Sequence, residues 1–93
     1  MISLEDCIGL CGLTEAEVLA IAEHEHIPEI AAAALANYLL HERHGSEKIR
    51  DMIRDDIRDA LDRKDTAHAS ELVAALRHFI ADHPELGGKQ DTA

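Results

Sequence analysis

The sequence predicts an all-α fold, a compact bundle of four to five short helices around a central apolar helix (about 28–43), with a C-terminal helical hairpin (about 46–83). Three observations carry this. Residues 30–41, IAAAALANYLLH, hold no charged side chain, although Glu29, Glu42 and Arg43 crowd their ends. Two further stretches repeat apolar residues at three-and-four spacing, the period of a helix face. No segment alternates apolar and polar residues as a half-buried strand does.

In order, Ser3 and Asp6 read as a capping box opening a short helix over 4–11, with Gly12 closing it. Thr14 and Glu17 form a second, stronger box. Leu13 packs onto Val18 as its hydrophobic staple, so a helix runs from there to about residue 25. The residue before a proline avoids the helical region, so His26-Ile27-Pro28 stops it. The uncharged segment follows, with Pro28 suited to a first turn and Gly45 to the position just past a helix end. At about 1.5 Å per residue it spans about 18 Å, too short to cross a bilayer. A helix apolar on nearly every side belongs inside a protein.

Ser46 is placed to cap the next helix, whose stripe is Ile49, Met52, Ile53, Ile57, Ala60 and Leu61. Asp65 or Thr66 is placed to cap another, with Ala69, Leu72, Val73, Leu76, Phe79, Ile80 and His83 inward. Because residues 63–66 contain neither Gly nor Pro, one long helix over 46–83 is the alternative to the hairpin. Residues 1–83 read as one domain, and 84–93, PELGGKQDTA, as a flexible tail with too little apolar surface to order itself.

Composition bounds the function. Hydrophobic residues make up 46% of the 93, but aromatics only 2%, so the core must be aliphatic, with Tyr38 and Phe79 its only rings. The formal charge of −10 argues against nucleic acid and anionic membranes as partners. Up to residue 45 eight acids face one base, Arg43; from 46 to 65 the two signs nearly balance. An acidic half suits a basic protein partner, although acidity also simply keeps a small protein in solution. The N-terminus lacks the basic flank and long apolar run of a secretory signal, which predicts a cytoplasmic protein. Cys7 and Cys11, one helical turn apart, do not form a disulfide framework and read as packing residues.

Antiparallel neighbours sort the polar residues by end. Cys11, His41, His44, His78 and His83 fall at one end; His24, His26, Asp65 and His68 at the other. His41, His44, His78 and His83 are the candidate metal ligands, for zinc or iron, and no other cofactor is expected. Glu23-x-x-His26 is half of a carboxylate-bridged di-metal motif, with Asp65-x-x-His68 the nearest second half. In residues 50–59, Arg50, Arg54 and Arg58 form one stripe and Asp51, Asp55 and Asp59 another; three-apart pairs between them offset the like-charge repulsion. Asn37 either sets helix register through a buried hydrogen bond, the expected role, or faces solvent at the edge of the apolar run.

A helix–turn–helix is suggested by Ala22, Ile27 and Leu35, but no Lys or Arg precedes Arg43 to meet phosphates. With no nucleophile elbow or phosphate loop, and Ser3, Ser46 and Ser70 all at caps or helix starts, no enzyme is expected. The expected function is a small acidic protein-interaction or adaptor module that self-associates. A histidine-cluster metal protein is the alternative, and a DNA-binding regulator a disfavoured second.

Overall fold

The computed structural model describes residues 12–87. They form α1 (Glu15–Glu25), α2 (Glu29–Leu40), α3 (Gly45–Asp62), α4 (Thr66–Asp82) and a single turn, α5 (Pro84–Gly87), with no strand among the described residues. The protein is an all-α bundle, as its sequence pattern predicts. The helix expected over 4–11, with its Ser3–Asp6 box, Cys7 and Cys11, lies outside the described residues, as does 88–93.

Helix α1 starts where the capping box places it. Glu17 N–H donates to Thr14 Oγ1 at 3.2 Å and Thr14 N–H donates to Glu17 Oε1 at 2.9 Å. It ends on His26, in the left-handed region at φ 58°, whose N–H bonds back to the Ala22 carbonyl. Pro28 then stands at the N-cap of α2 in extended backbone, one position earlier than a first-turn proline.

The α2–α3 connection differs from expectation. His44, not Gly45, takes the left-handed conformation (φ 64°). Gly45 is needed for another reason: a Cβ there would lie 1.5 Å from the Leu39 carbonyl oxygen, so only a bare Cα lets the backbones cross. Ser46 is not the cap either. Its hydroxyl donates to Glu85 Oε2 at 2.8 Å, and the N-cap position belongs to His44.

A hairpin, not one long helix, follows. Lys64 turns left-handed (φ 62°), Asp65 N–H reaches the Ala60 carbonyl at 2.8 Å, and the Asp65 carboxylate caps α4 by accepting from His68 N–H at 3.2 Å. Pro84 does not end the ordered chain. It opens α5, which buries Leu86 to 1% exposure and ties back through Glu85, so 84–87 belongs to the fold and not to a tail.

Helices α1 and α3 form the middle of the bundle. Each packs on the other and on both α2 and α4, which flank them. The core joins Val18 and Ile21, Ala32, Ala33, Ala36 and Leu39, Ile49, Ile53 and Ala60, and Leu72 and Phe79. Phe79 is its one ring, stacked on His83 with centroids 4.1 Å apart. Tyr38 is 61% exposed, so it is not a core ring as expected.

The uncharged helix is therefore not sheathed on all sides. The bundle is 17 Å deep along its shortest axis, the depth of two helix layers about 8–10 Å apart. One face of α2 is buried; Ile30, Ala31, Ala34, Asn37 and Tyr38 lie open on the other. Asn37 accordingly faces solvent and sets no register by a buried hydrogen bond.

Two turn substitutions are expected to act with opposite sign. Gly45→Ala should lower unfolding free energy by about 2–4 kcal/mol, because the clash is with backbone. Lys64→Gly should raise it by about 1 kcal/mol by relieving the left-handed strain. Urea denaturation followed by circular dichroism measures both.

Candidate functional site

Two groups of charged side chains lace α1 to α4, one at each end. At the Thr14 end the Glu17 side chain is fully buried, and its two oxygens are divided between tasks. Oε1 completes the capping box, and Oε2 meets His78 Nδ1 at 2.7 Å. That hydrogen bond and the attraction of Glu17 hold the His78 pKa above its ordinary value. Burial of Glu17 is tolerable because both oxygens are partnered.

At the other end the chain opens a cleft of about 750 Å³ where the α1–α2 and α3–α4 turns meet. His24, His26, Asp65 and His68 line it together, as the sorting by ends predicts. Glu23 bonds across to His68 Nε2, which raises the His68 pKa; Glu71 adds to this from the other ring nitrogen at 3.2 Å. His24 Nε2 meets Asp55 Oδ2 at 3.2 Å and its Nδ1 meets Glu25 at 2.7 Å. Burial opposes charge on the His24 ring, but these two carboxylates outweigh it and the pKa is raised. Arg63 reaches Glu23 at 4.0 Å and Asp59 at 3.6 Å.

Asp56 is the exception in this cleft. It is the one buried residue of its lining, 5% exposed, and its Oδ2 is sealed from solvent with no hydrogen-bond partner. Burial, and then repulsion from Glu23, push its pKa up to about 7, with His24 pulling the other way. Asp56 was hidden in the sequence among Asp51, Asp55 and Asp59. The signal that identifies it is register: it lies three residues after Ile53 and four before Ala60, on the core stripe. Its neighbours point away from the core and pair along the surface, Arg54 with Asp51 at 3.9 Å and Arg58 with Asp55 at 3.6 Å. Exposed pairs of this kind are worth about 0–1 kcal/mol.

The four histidines expected to bind metal do not assemble into a ligand set. His41 Nδ1 is bonded to the Asn37 carbonyl at 2.7 Å and His83 Nδ1 to the Phe79 carbonyl at 2.8 Å. His44 Nδ1 pairs with Glu47 at 3.1 Å, and His78 is held by Glu17. Among the described residues no group of three or more His, Cys, Asp or Glu side chains is arranged to hold a metal ion. The Glu23-x-x-His26 and Asp65-x-x-His68 pairs do share the cleft, but Glu23 is bonded to the His68 ring and the Asp65 carboxylate to the His68 N–H, and the four are not arranged to hold a metal ion.

These shifts fix the sign of the pH dependence. Asp56 binds its proton more tightly folded than unfolded, so it withdraws stability as pH rises from about 4 to about 7. His24, His68 and His78, with raised folded values, contribute stability that is full below about 6.5 and fades as pH climbs through those values. All four effects favour mildly acidic solution. Asp56→Asn should therefore raise unfolding free energy at pH 8 by about 1–3 kcal/mol and change it little at pH 4, measured by urea titration at both pH values. Glu17→Ala should cost about 1–3 kcal/mol at pH 6, since it removes an N3 capping side chain and the buried end of a pair.

Comparison with protein-family models, with curated proteins and with solved structures finds no match to this chain, so what bears on function is the chemistry of these side chains.

Proposed function

We propose that this protein is a small acidic interaction module that self-associates through the open face of α2 and offers its acidic surface to a basic protein partner. The observation that carries the reading is the state of α2. Ile30 is 50% and Tyr38 61% exposed on a face that bears no charge from residue 30 to 41. Those positions recur at helical spacing, so they form one continuous strip with Ala31 and Ala34. Aromatic and aliphatic side chains on an uncharged strip are what interface centres favour.

A second copy is the occupant this strip suits. The chain carries a formal charge of −10, so two copies repel wherever their acidic surfaces meet. The α2 strip is where they approach without opposing carboxylates, and its alanines let helix backbones come close. A two-fold pairing buries the same strip on both partners. The net charge of −10, carried on the surface outside the strip, leaves the assembled pair attractive to a basic protein.

Chromatography coupled to light scattering tests this. The mass should rise from 10.2 kDa toward twice that value as concentration increases to about 1 mM, the range in which weak dimers appear. Tyr38→Glu should return it to one chain with helicity and melting temperature little changed, because Tyr38 is 61% exposed and is not part of the core cluster. A single-chain mass at every concentration removes self-association.

A further inference from the structure

We propose that the cleft between the α1–α2 and α3–α4 turns binds an alkylammonium group, with Asp56 as its buried counter-charge. The proposal stands apart from self-association through α2 and rests on the reading of the acidic surface as one that seeks cations. Five carboxylates line the cleft against a single arginine. An acidic cluster alone is ordinary solvated surface. Asp56 makes this one different: a carboxylate oxygen with no partner, on a side chain 5% exposed, in the wall of a cleft large enough for a small molecule. A buried unpaired carboxylate is costly, and the free protein relieves it by retaining a proton. An ammonium entering the cleft takes the place of that proton.

The chemistry of the ligand follows from what is present. A bare metal ion is disfavoured, because no three donors converge. A guanidinium is a broad planar fork that wants two oxygens at once, whereas the Asp56 carboxylate is 5% exposed with Oδ2 sealed from solvent, so little of it is open to such a fork. An ammonium is a compact charge with three rotatable donors and needs only one strong acceptor at its centre. More than one ammonium fits better than one. Asp55 and Asp59 stand one helical turn apart, about 5–6 Å between their Cβ atoms, a step that a short methylene spacer between two amines can match. Such a ligand comes either free, as a linear polyamine, or as lysine side chains on a basic protein.

The neighbours of Asp56 set the pH dependence of binding. Glu23 and His24 face it from α1, Asp55 and Asp59 from its own helix. His68 from α4, with His26, Arg63 and Asp65 from the two turns, completes the cleft. As pH rises from 6, Asp56 ionises near 7 and His24 and His68 discharge as pH passes their raised values, and each change makes the cleft more negative. Binding should therefore tighten over this range and release protons.

Titration calorimetry on the full chain, at low salt and pH 8, tests the site with spermidine, a trilysine peptide, magnesium chloride and zinc chloride. Saturable binding of spermidine or trilysine is expected, weakened at least about tenfold by Asp56→Asn and less than twofold by Glu42→Gln, an equal loss of charge at the other end of the bundle. The tighter of the two identifies the source of the ammonium. Runs repeated at pH 7, where Asp56 is about half-protonated, in two buffers of different ionisation enthalpy should show proton release. Thermal melts confirm that Asp56→Asn folds; Asp59→Asn, at an exposed position, carries the same test with a smaller loss if it does not. Equal weakening by Asp56→Asn and Glu42→Gln means diffuse charge attraction and overturns the proposal. So does magnesium or zinc binding more tightly than spermidine in an Asp56-dependent way. Trilysine binding that ignores Asp56→Asn overturns the cleft but leaves a basic partner standing; failure of both amines removes both.

Discussion

The structure depends on how α1 is tied to α4, and Glu17 is the tie at one end. A single buried carboxylate satisfies the start of one helix with Oε1 and grips a histidine from the far end of the other with Oε2. Its counterpart is the Glu23–His68 contact near the end of α1. Together they fix the two helices antiparallel and in register, as two rungs fix a ladder. Apolar packing between short alanine-rich helices is weakly directional; these hydrogen bonds are not. With α1 and α4 so aligned, the two turns that carry His26 and Asp65 arrive side by side, and the acidic cleft is a consequence.

Much of this was legible in the residues. Thr14-x-x-Glu17 announces a helix start because both capping partners are local. Asp65 was readable as a cap for the same reason. The division of histidines between two ends followed from helix lengths and short turns. What stayed hidden are the pairings themselves: Glu17 and His78 are 61 residues apart, Glu23 and His68 45, and no local pattern encodes such distances. Four histidines at one end resembled a ligand set in sequence, yet each ring is held by a hydrogen-bond partner of its own.

One misreading and one omission have the same physical root. The uncharged run over 30–41 read as wholly interior, and among the charges of 50–59 Asp56 drew no reading of its own. Composition cannot see which side of a helix meets water. In α2 an apolar face is left open because the bundle is too thin to cover it. In α3 one aspartate among several is rotated about 100° from its neighbour Asp55, onto the stripe occupied by Ile53 and Ala60. Gly45 teaches the complementary lesson. Its place in the chain suggested a left-handed turn, but what it supplies is the absence of a Cβ against the Leu39 carbonyl.

The exposure of Tyr38 also decides what light can report about this molecule. The chain contains one tyrosine and no tryptophan. Nearly all absorbance near 280 nm, and the intrinsic fluorescence excited there, thus arises from a ring that already stands in water in the isolated chain. Loss of the aliphatic interior leaves that ring's surroundings little altered, so its emission is a poor witness of melting. Covering the α2 strip changes them directly, which makes the same signal, and its polarisation, a label-free gauge of contact at that surface.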